Sequence, residues 1–240
     1  MDMDKGLIYY TDNRVVEPIF TTVQNILNEI GLPITSCSLK PIDFGNNIVH
    51  DAVRSYPTMV NQIVKALEGS KERFVFFCEN DVLYHKSHFD FTPKKDDIFY
   101  YNENVWRWRL WDDKAIRYKG MIPLSCMCVG REYGLAHYKM RQEKIKEWGL
   151  DEFRSREPRR SRIWGYEPGT KQKKRGGLTD DVCETFYSKY PNVDIRHKRT
   201  FSRLKCTQDD FRHQPEEWEE INSQDIPGWN LNKLFNVKGL

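Results

Sequence analysis

A continuous apolar run that ends in a cluster of acids is the feature that most constrains the fold of this chain. Residues Arg73–Cys78 read RFVFFC, and the chain continues at once into Glu79-Asn80-Asp81. An apolar run of this length without polar alternation is typical of a strand that is buried on both faces, as in a parallel sheet. Such a strand needs covering layers on both sides, so the run predicts an α/β fold.

The residues before this run predict alternating strands and helices. Apolar spacing and stop signals predict strands at Gly6–Tyr10 and Ile34–Leu39, and helices at Ile19–Ile30 and Tyr56–Leu67, with Gly31 and Gly69 as helix stops. The order strand, helix, strand, helix, strand predicts a Rossmann-like, open and mostly parallel central sheet covered by helices.

The second half of the chain is less regular. Strands are predicted at 97–101, 115–119, 125–129 and 193–195, a charged helix at 131–148, and a short helix opening at Thr179. With 240 residues and no repeat or low-complexity linker, we expect a single domain over 1–240. Its parts would be residues 1–105, an elaborated second part at 106–205, and an acidic C-terminal tail at 206–240.

Composition excludes several classes of protein. Hydrophobic residues make up 39% and charged residues 30% of the chain, which excludes fibrous and wholly disordered chains. No apolar run approaches the roughly 18 residues of a membrane span, and the N-terminus lacks the pattern of a signal peptide. The 6 cysteines are scattered through the chain and several lie in apolar runs, which favours buried free thiols. We therefore expect a cytoplasmic protein with no membrane span.

The acid triplet after the apolar run is a candidate metal site. Ligands of open α/β sheets bind beyond the carboxyl ends of the strands, where Glu79 and Asp81 would lie. Carboxylates two residues apart on an extended backbone point to the same side, and such oxygen ligands suit Mg²⁺ or Mn²⁺. The structural alternative is that the acids end the strand in a solvated turn.

Short motifs in order along the chain carry a family resemblance. Glu79-Asn80-Asp81 resembles a DxD motif, Thr11-Asp12-Asn13 resembles the edge of a nucleotide-binding half, and Thr179-Asp180-Asp181 resembles an xED motif. With His197 in Asp194-Ile195-Arg196-His197, they make residues 6–205 similar to GT-A glycosyltransferases of the family-2-like group. The chain departs from that pattern at Glu79, which replaces the first Asp of DxD, and at Asp180, which replaces the xED glutamate.

The resemblance implies an activity and assigns residues to it. It makes 1–105 the nucleotide-sugar-binding half and 106–205 the acceptor and catalytic half. It implies transfer of a sugar from a nucleotide-diphosphate sugar, best a UDP-sugar, to an acceptor hydroxyl, with inversion. Its metal ion, Mn²⁺ or Mg²⁺, would be held by Asp81, Glu79 and His197. Donor contacts would come from Tyr10, Thr11, Asp12, Asn13, Glu79 and Asn80. The catalytic base would be Asp181, with Asp180 and Glu167 behind it, although one of the Asp pair could instead cap its helix.

A basic stretch bears on the acceptor. Residues 154–175 hold nine Lys and Arg against two acids, although the whole chain carries a formal charge of only +3. The stretch is either a solvated loop or a track for a polyanion. With Trp164 and Tyr166 interleaved, it favours DNA with a hydroxymethylated base as the acceptor. The candidate acceptor-binding residues are Arg159, Arg160, Trp164, Lys173 and Lys174.

Other functions stay open at this point. The acceptor could be a glycan or a lipid-linked molecule, which would not need the basic stretch. A non-catalytic nucleic-acid-binding protein would use that stretch alone, but it has no need of Glu79 and Asp81 at a strand end. A nucleotidyltransferase would share the sheet and the acids, but it is expected to carry a glycine-rich loop after the first strand, where this chain has Thr11–Arg14.

Overall fold

The computed structural model describes residues 4–147, 149, 182–200, 205–211 and 213–235. Its strands are β1 Lys5–Thr11, β2 Ile34–Ser38, β3 Asn46–Val49, β4 Phe74–Glu79, β5 Val82–Leu83, β6 Phe99–Asn102, β7 Val105–Arg109, β8 Lys114–Arg117, β9 Met127–Gly130, β10 Cys183–Phe186, β11 Asn192–Arg196 and β12 Glu219–Asn222. Its α-helices are α1 Ile19–Ile30, α2 Tyr56–Gly69, α3 Arg131–Glu147 and α4 Leu231–Phe235.

A seven-stranded, mostly parallel sheet forms the centre of the structure. Its strand order is β10-β6-β9-β4-β1-β2-β3. Every neighbouring pair is parallel except those of β9, which runs antiparallel to both β4 and β6. The predicted α/β class with a mostly parallel central sheet flanked by helices is confirmed.

The apolar run in β4 divides its side chains between the two faces of this sheet. Phe74 and Phe76 pack into one hydrophobic cluster together with α1, α4 and the second sheet. Val75 and Phe77 pack into the other cluster, against α2 and α3. Because alternate residues of a strand point to opposite faces, an uninterrupted apolar sequence is what a strand between two layers requires.

A second, five-stranded sheet has the order β12-β8-β7-β11-β5. Several of its strands were not predicted. Residues 105–109, which include Trp106 and Trp108, form β7. The acidic tail contributes β12, whose Glu219 and Glu220 pair with arginines of β8 and β7. The helix expected to open at Thr179 falls on residues 179–181, which lie outside the described residues; β10 of the seven-stranded sheet begins at Cys183.

Local signals fix the ends of the two predicted N-terminal helices. Gly31 ends α1 in a left-handed conformation with φ of 76°, which glycine adopts without steric cost. Ser55 caps α2, and its hydroxyl accepts a hydrogen bond from the backbone N–H of Thr58. Strand β3 was not predicted, because its sequence Asn46–Val49 is short and half polar.

Two further expectations concern the cysteines and the absence of a membrane span. The cysteines are all free thiols, and five of the six are buried. Among the helices that the structure describes, none has the length and apolar character needed to cross a bilayer.

Phe76→Ala tests the central position of β4. Phe76 is fully buried between the rings of His88 and Phe89, so its truncation leaves a cavity that neighbours cannot fill. We expect a loss of about 3–5 kcal/mol in the free energy of unfolding, measured by urea denaturation. Tyr187→Ala removes an exposed ring and should cost no more than about 0.5 kcal/mol. Equal losses in the two variants would contradict the assignment of β4 to the core.

Candidate functional site

The strand order of the seven-stranded sheet changes direction between β1 and β4. From β1 the chain proceeds outward to β2 and β3, whereas β4 lies on the other side of β1. In open α/β sheets, a crevice forms beyond the carboxyl ends of the two strands at such a point, and ligands bind there. Here those ends carry Tyr10 and Thr11 on β1 and Glu79 on β4.

A cavity of about 510 Å³ lies at this crevice, a volume within the range of small-molecule sites. One wall is formed by the ends of β1 and β4 and a second by the first turn of α2. The second sheet contributes a third wall through β7 and β11. The polar residues that line the cavity include Tyr10, Asp12, Arg54, Glu79, Asp81, Arg107, Asp194 and Arg196.

Side chains of β1 and of the loop after β11 hold the acid triplet in place. The Tyr10 hydroxyl donates to Glu79 Oε1 at 2.6 Å, and the side-chain amide of Asn80 donates to the Thr11 hydroxyl. His197 Nε2 lies 3.2 Å from Asp81 Oδ2. These contacts orient Glu79 and Asp81 before any ligand binds.

The surroundings of the two carboxyl groups disfavour their charged forms. Burial, and then repulsion by Asp81, raise the pKa of Glu79 to about 8. Burial also raises the pKa of Asp81, and the hydrogen bond with His197 opposes that rise. Two neighbouring carboxyl groups with raised pKa values mark a position where a cation is favourable.

The hydrogen bonds of His197 define its tautomer. Its Nδ1 accepts the backbone N–H of Arg199 at 3.2 Å, so Nε2 carries the proton and donates to Asp81. In this arrangement His197 orients Asp81, and it would have to give up that bond to offer a lone pair to a metal ion. Its assignment as a metal ligand stays a prediction.

Three charged side chains of the second sheet share the face that lines the cavity. Arg107 of β7 and Asp194 of β11 are cross-strand partners, and Arg196 follows Asp194 by two residues. Asp194 Oδ2 accepts a hydrogen bond from Arg196 and lies 3.5 Å from Arg107 Nε. We call these three residues the arginine wall. The three side chains place two guanidinium groups beside one carboxylate.

The loops after β1 and β2 are fastened by side chains at the rim. Asp12 forms an ion pair with Arg54, which precedes the N-cap of α2. Asn13, with φ of 57°, accepts the backbone N–H groups of Leu39 and Lys40 at 2.9 Å each through its Oδ1. Asn13 was predicted to contact the nucleotide, but it is not among the lining residues, and its side chain joins the two loops instead.

The structure brings most of the predicted donor and metal residues together. Tyr10, Thr11, Asp12, Glu79, Asn80 and Asp81 all line the cavity, and His197 contacts Asp81 from the neighbouring loop. The predicted catalytic and acceptor-binding residues lie outside the described residues; they are Asp180, Asp181, Glu167, Arg159, Arg160, Trp164, Lys173 and Lys174.

Sequence reasoning missed the arginine wall. The alternation Trp106-Arg107-Trp108-Arg109 has the period of a strand with one apolar face, and this signal could have assigned Arg107 to the opposite face. The pairing of Arg107 with Asp194 joins residues 87 positions apart along the chain, and no local pattern predicts it.

The residues that the structure describes contain no group of three or more His, Cys, Asp or Glu side chains arranged to hold a metal ion. Within the described part of the chain, Glu79 and Asp81 are therefore the candidate ligands for a metal ion at this cavity.

Comparisons with known proteins do not identify a family. No protein-family model matches the chain, and no curated protein matches it. Among solved structures, the bifunctional IspDF from Campylobacter jejuni is similar over 78% of this chain, with 12% sequence identity and a TM-score of 0.39. The chain covers 50% of the length of that protein.

Glu79→Gln tests the buried carboxyl group through the pH dependence of stability. The pKa of Glu79 is raised to about 8 in the folded protein. Between the ordinary pKa of a glutamate and pH 8, the unfolded chain therefore binds fewer protons than the folded protein does. Wild-type stability should therefore fall as pH rises through this window, whereas the glutamine side chain of the variant does not titrate.

The measurement is urea denaturation in EDTA at about pH 5 and pH 8. Glu79→Gln should gain stability over wild type at the higher pH, and the difference should shrink at the lower pH. Glu184→Gln, which removes an exposed charge on β10, is the matched control. If the difference in stability between Glu79→Gln and wild type does not change with pH, burial does not raise the pKa of Glu79.

Proposed function

We propose that this protein is a glycosyltransferase that moves a sugar from a nucleotide-diphosphate sugar to an acceptor hydroxyl. One observation carries the proposal: the buried acid triplet Glu79-Asn80-Asp81 lies at the crevice between β1 and β4, inside a cavity of small-molecule size. A protein that only bound nucleic acid would gain nothing from carboxylates there, because they repel phosphate.

The two ends of the cavity suit the two parts of such a donor. Glu79 and Asp81 favour a cation, which a diphosphate also binds. The end of β1 with Thr11 and Asp12 offers hydroxyl, carboxylate and backbone groups to a nucleoside, as strand ends do in nucleotide-binding α/β folds. A UDP-sugar is the donor that the motif resemblance favours.

The donor chemistry of the acids fits Mn²⁺ or Mg²⁺. Mg²⁺ in enzymes is commonly bound by one or two carboxylates, several waters and the phosphate oxygens of the substrate, so a cluster of three protein ligands is not required. Asp81 would be the principal ligand and Glu79 the second, with His197 orienting Asp81. A bound ion would neutralise charge on the departing diphosphate.

The base and the acceptor belong to the same proposal. Asp181 would take the proton of the acceptor hydroxyl, with Asp180 and Glu167 as alternatives, and the basic stretch at 154–175 would bind the phosphates of a DNA acceptor that carries a hydroxymethylated base. These residues lie outside the described residues, so the sequence alone supports this part.

Asp81→Asn tests the proposed function directly. The amide keeps the shape and can still contact His197, but it removes the anionic anchor of the metal ion. We expect a loss of at least about 100-fold in metal-dependent hydrolysis of the nucleotide sugar, the scale of removing a catalytic electrostatic group. The assay screens UDP-sugars with Mn²⁺ and measures release of the nucleotide.

Asp90→Asn is the matched control, since Asp90 is exposed and lies outside the triplet and the cavity lining. It should leave hydrolysis unchanged. If Asp81→Asn kept wild-type turnover at saturating Mn²⁺, the proposal of metal-dependent transfer would be wrong.

The DNA acceptor makes a separate prediction. Replacing Arg159, Arg160, Lys173 and Lys174 with Gln should weaken DNA binding and flatten its salt dependence, by about 0.9 in the log–log slope for each phosphate of duplex DNA that the variant no longer neutralises. Fluorescence anisotropy at several salt concentrations measures the slope. Donor hydrolysis without acceptor should not change in this variant.

Binding that is no tighter at low salt than that of a neutral control protein would exclude DNA as the acceptor. It would leave the glycosyltransferase proposal intact, with a glycan or lipid-linked acceptor in its place.

A further inference from the structure

We propose that the arginine wall binds the diphosphate of the nucleotide ligand directly, without needing a metal ion. The identity of the ligand rests on the proposed function, whereas the anion site rests on the geometry of Arg107, Asp194 and Arg196.

Arg107 has donors to spare for a ligand. Its NH1 donates to the Tyr118 hydroxyl at 2.8 Å, and its Nε faces Asp194 at 3.5 Å. A guanidinium group carries five N–H donors, and among the described residues these two contacts leave further donors of Arg107 without a partner. Guanidinium groups bind phosphate oxygens in pairs of parallel hydrogen bonds, which makes a phosphoryl group a fitting ligand.

The wall is organised before a ligand arrives. The side chains of Arg107, Asp194 and Arg196 are only 14%, 8% and 7% exposed, and both arginines share one carboxylate. Tyr118 holds Arg107 from behind by its hydroxyl and by its ring, whose centroid lies 5.6 Å from Arg107 Cζ. An anion gains more from a buried guanidinium group than from an exposed one, because water screens the buried charge less.

The position of the wall selects a diphosphate over other anions. Arg107 and Arg196 line the same cavity as Glu79 and Asp81. A diphosphate carries more oxygens and more negative charge than a lone phosphate or a carboxylate, so it can contact both guanidinium groups at once. Duplex DNA cannot enter a cavity of about 510 Å³.

The test is isothermal titration calorimetry of the full chain with inorganic pyrophosphate and with UDP, in EDTA. We expect wild type to bind both, and Arg107→Gln and Arg196→Gln to weaken binding about tenfold or more, the scale of removing a hydrogen bond to a charged group. Arg107→Lys should be weakened less. Tyr118→Phe, which keeps the charge but frees Arg107 from its hydroxyl partner, should lose a few-fold.

Arg73→Gln is the matched control, because Arg73 is exposed and precedes the opposite end of β4. It should bind pyrophosphate as wild type does. Thermal melting checks the folding of each variant, and Arg107→Lys with Tyr118→Phe carries the test if Arg107→Gln does not fold.

Two results would overturn the inference: pyrophosphate that binds only when Mn²⁺ is added, or binding that is equal in wild type and in all arginine variants. Either would leave nucleotide-sugar hydrolysis, and so the proposed function, standing. Conversely, arginine-dependent pyrophosphate binding by a protein that hydrolyses no nucleotide sugar would keep the anion site and remove the glycosyltransferase proposal.

Discussion

The contact between Asp81 and strand β11 joins the two halves of the candidate site. The backbone carbonyl of Asp81 accepts the N–H of Ile195 at 2.8 Å, and its carboxylate meets His197 just beyond the strand. Residues 194 and 193 of β11 also pair antiparallel with Val82 and Leu83. Without this contact, the acid triplet would end one sheet, the arginine wall would belong to another, and no cavity would have both as walls.

The contact also determines the electrostatics of the cavity. Four carboxylates and four guanidinium groups line it, so their formal charges cancel. Asp12 and Arg54 neutralise each other at the rim. Burial disfavours the charged forms of Glu79 and Asp81, whereas the neighbouring Arg196 favours them. The acids of the first sheet and the arginines of the second sheet therefore act on one another inside one cavity.

The sequence predicted those parts of the fold that depend on local patterns. The apolar run of β4, the amphipathic spacing of α1 and α2, and the glycine after α1 each act within a few residues, and the structure has the corresponding elements within two residues of the predicted ends. The missed strands are short and mixed in polarity, as β3 and β12 are, and β12 is defined by its pairing with β8, which is distant in the chain. The acid triplet was also predictable, because it directly follows the apolar run of β4.

The arginine wall was not predictable from local patterns, because the position of Arg107 depends on the register between β7 and β11. Arg107 lines the cavity only because β7 pairs with β11 so that Arg107 stands opposite Asp194; a shift of one residue would put Trp106 there and turn Arg107 to the other face. The same register buries Trp106 and Trp108 in the core, where apolar burial fixes the pairing. The hydrophobic effect on one face of β7 thus positions the charge of Arg107 on the other face.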